Sequence, residues 1–250
     1  MIRTLWYYVV LVVSSVYHAT GAIVAGLLGR KYRAGGVYDW AGRDWSRQIL
    51  AAAGTPVLAD GLEHIPRGTP VVYASNHSSM FDIWALFATL PDATRFVAKQ
   101  ELAGVPFIGA AMRRAGHIMI DREVKRRAFQ AYDRAAQRIR SGFSAIVFPE
   151  GTRSRTGELL PFKNAPFALA IAAQVPVVPV YVHHTFEILP KGAWRLHPRP
   201  IRLLVGPPIP TAGLAAGGRE ALRDRVRAAI VALRERALTA EARAARVGPP

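Results

Sequence analysis

The sequence predicts an α/β fold, a mixed and largely buried sheet flanked by helices, with membrane-associating helices added at the amino end. Three observations carry that expectation. From about residue 55, short apolar runs alternate with stretches of helical periodicity. Prolines and glycines mark the boundaries between them. The chain has 250 residues, of which 51% are hydrophobic, enough for a substantial core without covalent staples.

The first element is the stretch Leu5–Leu28, which holds no Asp, Glu, Lys or Arg. As a helix it would run about 36 Å, against a hydrocarbon thickness of about 30 Å. Three readings compete: a signal peptide built from Leu5–Val13 and the small residues Ala19–Ala22, a buried core helix, and a spanning or re-entrant membrane helix. Length favours the last. Arg30, Lys31 and Arg33 follow the segment and only Arg3 precedes it, so the positive-inside rule puts the rest of the chain on the cytoplasmic face. Tyr38–Ala53 comes next, with Trp40, Trp45, Ile49 and Leu50 interleaved with Arg43 and Arg47. It reads as an amphipathic helix suited to a membrane interface or to packing on the domain. Residues 1–54 are therefore set apart as a membrane-associating unit.

Residues 55–217 form the α/β core. Strands are expected at Val71–Ala74, Arg95–Ala98, His117–Ile120, Ala145–Phe148, Val177–Val182 and Ile201–Val205. Each is a short apolar run. Helices are expected between them at Met80–Leu90, Phe107–Arg114, Glu123–Arg140 and Ala165–Ala173. Residues 218–250 form a basic helix and tail. In Gly218–Arg246 the apolar residues Leu222, Val226, Ile230 and Leu233 recur at helical spacing, and Val247–Pro250 reads as a frayed end.

Composition limits the partners. Lys and Arg number 33 against 17 Asp and Glu, a formal charge of +16, which asks for an anionic membrane, nucleic acid or phosphorylated ligands. Nucleic acid is set aside, because no binding motif occurs and basic–aromatic interleaving is confined to the amino end. The absence of cysteine excludes disulfides, thiolate metal sites and a cysteine nucleophile.

The chemistry-bearing residues sit where apolar strands end. Ser75-Asn76-His77-Ser78-Ser79-Met80-Phe81-Asp82 follows one strand and opens a helix. Histidine suits general-base work near neutral pH, and a carboxylate can hold its tautomer as in the histidine–aspartate half of a triad. Residues five apart do not face each other on one helix. The pair therefore works only with His77 in the turn and Asp82 in the first helical turn. Ser79 to Asp82 also fits a capping box.

Phe148-Pro149-Glu150-Gly151-Thr152-Arg153-Ser154-Arg155 closes a second strand. Backbone N–H groups, hydroxyls and guanidinium forks there suit a phosphate. Glu150 is out of place beside an anion and is expected to pin an arginine or accept from a substrate hydroxyl. Ile118–Arg122 and Lys99 add cationic groups at two further strand ends. They make one anion site if the strands are neighbours. No metal is expected: H-E-x-x-H is absent and His183-His184 lacks a carboxylate at matching spacing. No G-x-S-x-G elbow supports Ser78 or Ser79 as a nucleophile.

Taken together these blocks resemble the glycerolipid acyltransferase family, specifically its 1-acylglycerol-3-phosphate branch. Asn76–Asp82 matches an N-H-x4-D block, Ile118–Arg122 a second block, Phe148–Ser154 (F-P-E-G-T-R-S) a third and Val175–Pro179 a fourth, in matching order from about Leu58 to Gly206. Met119 departs mildly from the second block, which often has an aromatic there.

The resemblance implies a single acyltransferase domain. It would move an acyl group from a thioester to the sn-2 hydroxyl of a lysophosphatidate, giving phosphatidic acid, without an acyl-enzyme. His77 would be the base and Asp82 its orienting partner. Glu150, Gly151, Thr152 and Arg153 would hold the acceptor head group, with Arg122 helping to bind its phosphate; Lys99 is a substrate-binding candidate from its strand-end position alone. The fourth block would wall the site. No bound cofactor is implied. The co-substrate would be an acyl-CoA or acyl-carrier-protein thioester, with the carrier protein a candidate partner, and anionic bilayer lipid would be the surface. Two alternatives stay open: another lysolipid acceptor, such as a lyso-aminolipid, and a non-catalytic protein that binds anionic lipid.

Overall fold

The computed structural model describes residues 1–31, 33–91, 93–120 and 125–247. Arg122, and Glu123 of the expected fifth helix, lie outside the described residues, as does the tail after Val247. Two helices come first, α1 (Ile2–Leu27) and α2 (Val37–Ala53). The core then runs β1 (Val57–Asp60), β2 (Val72–Ser75), α3 (Phe81–Thr89), β3 (Thr94–Lys99), α4 (Ile108–Arg114), β4 (Ile118–Ile120), α5 (Lys125–Arg140), β5 (Ser144–Val147), α6 (Ala165–Ala173), β6 (Val177–His183), α7 (Thr185–Ile188) and β7 (Ile201–Val205). The last helix, α8, is Arg219–Val247.

The strands form one seven-stranded sheet in the order β1-β7-β6-β2-β5-β3-β4. Pairing is parallel from β6 through β4 and antiparallel only between β6 and β7, so the sheet is mixed. The strands that end in His77, Glu150 and Lys99 are neighbours and point the same way. Their carboxyl ends share one edge, where open α/β sheets hold their ligands.

Alternation along each strand divides the core in two. Val72, Ala74, Ala145, Val147 and Val177 face one cluster with Phe167, Leu169 and the α8 residues Leu222, Val226, Ile230 and Leu233. Tyr73, Ile146, Val178, Val180, Ile201 and Leu203 face the other, with Tyr7, Ile49, Phe81 and Trp84. All four expected apolar positions of α8 are thus buried, and the helix docks by that stripe. The fourth block lies at the start of β6, where Val177 and Val178 are fully buried. It builds the middle of the sheet, away from the edge that carries His77, and so is not a wall of the site.

The sequence reading missed β1, an edge strand of four residues in alternating partial exposure. It also missed α7, a single turn.

Helix α1 is long and apolar enough to cross a membrane, yet it lies along the body of the protein. Its polar residues face α2: Ser14 Oγ donates to Gln48 Oε1 at 2.9 Å, Trp45 Nε1 to Ser15 Oγ at 3.0 Å, and His18 Nε2 lies 3.0 Å from Asp44 Oδ2. Helix α2 is fixed to the sheet in turn by the buried pair of Asp39 with Arg95 of β3, 2.5 Å apart. The opposite face of α1, with Leu5, Trp6, Val9, Val12, Val13, Val16 and Tyr17, is exposed.

Candidate active site

Strand β2 ends at Ser75, and the chain turns through Asn76 and His77 before α3 begins at Phe81. Asn76 fixes that turn to the neighbouring strand. Its Nδ2 donates to the Val182 carbonyl at 2.9 Å and its Oδ1 accepts the Val182 N–H at 2.7 Å. His77 is thereby held in the turn and Asp82 in the first turn of α3, the placement that their spacing requires.

His77 Nδ1 lies 2.8 Å from Asp82 Oδ2. The same oxygen accepts the N–H groups of Ser78 at 2.7 Å and Ser79 at 2.9 Å. Asp82 therefore orients the base and holds the turn before α3 in one arrangement. Asp82 is fully buried, and its other oxygen, Oδ1, accepts the hydroxyl of Thr185. An ionised carboxylate only accepts, so the His77 proton sits on Nδ1 and Nε2 keeps its lone pair. The ring is 14% exposed and stacks on Phe148, with centroids 3.9 Å apart and planes at 13°.

Glu150 does something the sequence reading did not assign to it. It is buried and turns back under the dyad. Oε1 accepts the His77 N–H at 2.9 Å and Oε2 the Leu160 N–H at 3.1 Å. Neither an arginine nor the open edge receives it; the carboxyl clasps two backbone turns. Burial pushes its pKa up to about 7, the Asp82 charge adds to the rise, and the two N–H groups oppose it. The Ser154 N–H donates to the His77 carbonyl at 2.8 Å, closing the junction of the first and third blocks.

Gly151 takes φ +74°, and a Cβ there would lie 3.0 Å from Lys163 Nζ. The turn thus needs glycine, and Lys163 covers it. Thr152 is exposed and accepts from Lys191 Nζ at 3.2 Å. Arg153 is half-buried and Lys99 is exposed at the end of β3. The structure thus gathers His77, Asp82, Glu150, Gly151, Thr152, Arg153 and Lys99 at the edge formed by the ends of β2, β5 and β3.

Reasoning from sequence missed Thr185, Lys163 and Lys191. A threonine after an apolar strand, far from the motifs, gives no local signal.

His183 and His184 do find a carboxylate, Glu241 of α8, and the three ligating atoms lie within 4.8 Å of one another. Arg199 Nη1 approaches His184 Nδ1 at 3.3 Å. A guanidinium only donates, so Nδ1 accepts and the proton moves to Nε2, facing Glu241 at 3.7 Å. The hydrogen-bonded clasp between β6 and α8 is made by His183, whose Nε2 lies 3.1 Å from Glu241 Oε2. His117 is a structural histidine: its Nδ1 accepts the Phe96 N–H at 3.1 Å, and burial, with Arg95 and Arg138 nearby, lowers its pKa to about 3.

Comparison with known proteins adds three findings. A family model described as acyltransferase matches residues 57–183. The human 1-acyl-sn-glycerol-3-phosphate acyltransferase alpha is 37% identical over 175 residues, 70% of this chain and 62% of that protein. The 1-acyl-sn-glycerol-3-phosphate acyltransferase of Limnanthes douglasii is 37% identical over 164 residues, 65% of this chain and 58% of that protein. The chain thus spans about three fifths of the length of these relatives. The crystal structure of the 1-acyl-sn-glycerophosphate acyltransferase PlsC from Thermotoga maritima superposes with a TM-score of 0.75 at 26% identity, covering 94% of both chains.

Proposed function

Because the chain belongs to the acyltransferase family, we propose that it transfers an acyl group from a thioester to the sn-2 hydroxyl of a 1-acylglycerol-3-phosphate, giving phosphatidic acid. The relatives, named as 1-acyl-sn-glycerol-3-phosphate acyltransferases, support that acceptor. The observation that carries the reading is the 2.8 Å contact of His77 Nδ1 with Asp82 Oδ2, since it leaves Nε2 as a base at an open strand edge.

The steps follow from the geometry. Nε2 takes the proton of the acceptor hydroxyl as its oxygen attacks the thioester carbonyl. The imidazolium that forms is stabilised by Asp82, whose buried carboxylate lies against Nδ1–H. The tetrahedral intermediate collapses, the C–S bond breaks, and the thiolate leaves with the proton returned from Nε2. A positioned base supplies about 10²–10⁴-fold. No acyl-enzyme is required, which suits a chain without cysteine. No bound cofactor enters; the donor is a coenzyme A or carrier-protein thioester. The cationic groups of Arg153 and Lys99 neutralise the acceptor phosphate, with Arg122 as the third.

The protein works on one leaflet of an anionic membrane, from the cytoplasmic side. Support comes from the exposed apolar face of α1, joined at its far end by the exposed Val105, Phe107 and Ile108 around α4. Because α1 bonds along its length to α2, this reading has the helix lie in the interface and not cross it.

A matrix of acceptors and donors tests the proposal. Purified full chain is offered lysophosphatidate or a lyso-aminolipid, each with acyl-CoA or acyl carrier protein. Phosphatidic acid is the expected product, and His77→Ala should stop thioester consumption while vesicle binding persists. Acylation of the lyso-aminolipid with none of lysophosphatidate would overturn the acceptor assignment.

A further inference from the structure

A second cationic site lies on the other side of the base. Between the start of α1, α7 and the segment before β7 is a cleft of about 570 Å³ lined by Arg3, Glu187, Arg195, His197 and Arg199, among others. Arg195 and Arg199 stand there with Glu187 and His197, while Arg3 lines the cleft from α1 with its guanidinium against Gly54 at the end of α2. Arg3, Arg195 and Arg199 are all exposed, and none of them forms an ion pair among the described residues. Like charges that share one cleft repel unless an anion joins them, and arginine forks match phosphate oxygens.

The cleft walls are tied together. The His197 N–H donates to the Ile188 carbonyl at 3.0 Å. The Leu196 N–H donates to Thr4 Oγ1 at 3.3 Å, and Thr4 is buried. Tyr8 Oη donates to the Trp194 carbonyl at 2.9 Å. Arg195 and Arg199 therefore stand on a braced loop.

Position gives the cleft its meaning. In the order β6-β2-β5-β3, His77 follows β2, while Lys99 and Arg153 stand at β3 and β5 on one side of it. The cleft opens beyond β6, on the opposite side. It is joined to the base through α7: Thr185 bonds Asp82, Glu187 lines the cleft two residues on, and Arg199 touches His184. Two anionic groups must approach the base if both substrates are phosphorylated, and they must come from different sides for their reacting ends to meet.

We propose that this cleft binds the phosphate-bearing end of the acyl donor, the phosphorylated adenosine of a coenzyme A thioester, with the thioester reaching over α7 to His77. The proposal rests on the acyl-transfer reading, and it separates a donor side at β6 from an acceptor side at β5 and β3. A membrane lipid head group offers the same phosphate chemistry, so the test distinguishes the two.

Coenzyme A itself, which carries no acyl group to transfer, is titrated by calorimetry into the full chain, the double variant Arg195→Ala/Arg199→Ala, and Lys99→Ala. Losing two charge-assisted phosphate contacts should weaken binding by at least about ten-fold in the double variant. Lys99→Ala should bind coenzyme A within about two-fold of the parent while the KM for lysophosphatidate rises. Equal coenzyme A affinity in parent and double variant overturns the proposal. So does loss of binding to phosphatidylglycerol vesicles with coenzyme A affinity kept, which would assign the cleft to a lipid head group. Absence of turnover with every donor and acceptor would instead defeat the acyl-transfer reading, and the calorimetric result would stand apart from it. Circular dichroism of each variant confirms folding, since the replaced side chains are exposed.

Discussion

Oδ2 of Asp82 lies 2.8 Å from Nδ1 of His77 and also accepts the N–H groups of Ser78 and Ser79, so a single atom both fixes the turn before α3 and orients a base. Helix geometry alone would keep residues five apart from facing each other. The turn between β2 and α3 overcomes this, because His77 is not helical and the carboxylate of Asp82 reaches back along the helix start. Turn and base then rise or fall together.

Asp82→Asn separates them. An amide oxygen in the place of Oδ2 still accepts from Ser78 and Ser79, and the Thr185 hydroxyl can rotate to accept from the amide. What is lost is the negative charge that stabilises the imidazolium. The expected outcome is a fall in kcat/KM of about 10²–10⁴-fold with Tm within a few degrees of the parent. His77→Ala should cost as much, and the double variant little more, because residues acting as a unit are not additive. Additive losses would mean that the two side chains act separately.

Thr185 acts on the base through Asp82. Its hydroxyl serves an oxygen with no access to water, and it also contacts Ser78 Oγ at 3.0 Å. Thr185→Val keeps the shape and removes the donor, leaving a buried carboxylate oxygen unpaired at a cost of roughly 1–3 kcal/mol. Urea denaturation should register that loss. Thr185→Ser should recover most of the stability and the activity, since only the hydroxyl is required. Failure of Ser to rescue would assign the position to packing.

These residues differ in how far sequence could reveal them. His77 and Asp82 lie within one short block, and the strand-to-helix change around them is marked by apolar pattern alone. Their neighbourhood with Lys99 and Glu150 was a conditional statement until the order β2-β5-β3 supplied it, because strand order depends on packing over the whole domain. Glu150 was legible as a charge but not as a direction: nothing local indicates that it turns inward to two N–H groups. Thr185 is 103 residues from its partner, and threonine is common at strand ends. The polar residues of α1 give no local sign of their role. Ser14, Ser15 and His18 interrupt an apolar segment, and they are the face that bonds α2.

Glu150 should make stability depend on pH in a particular sense. Its folded pKa is raised from 4.5 to about 7. Between those values the folded state holds more protons than the unfolded one, so stability falls as pH rises through the window. The penalty is complete above about pH 7 and absent below about pH 4.5. Glu150→Gln cannot ionise. The stability of the parent relative to this variant, measured by urea denaturation from pH 4.5 to 8, should decline through the window and then level off. A difference that is flat in pH would show that the carboxyl titrates at its ordinary value. The amide also presents an NH2 group to one of the two N–H donors, so the variant loses one hydrogen bond at every pH, which offsets the curve without tilting it.

The outer face of α1 sets the last expectation. Val9, Val12, Val13 and Val16 are each more than half exposed, on the side turned away from the Ser14–Gln48 and His18–Asp44 contacts. Apolar side chains in that number stand in water at a cost of roughly 1.5–3 kcal/mol each compared with burial, and none of the described residues covers them. A membrane interface would. Because both side chains point outward, Val12→Glu/Val16→Glu should leave Tm nearly unchanged while binding to anionic vesicles drops at least ten-fold in a flotation assay. His18→Ala should do the reverse, loosening α1 from α2 and lowering Tm with the outer face intact. Vesicle binding that survives the two glutamates would remove this face from the membrane contact and leave the +16 charge to hold the protein there, in which case raised salt alone should release it.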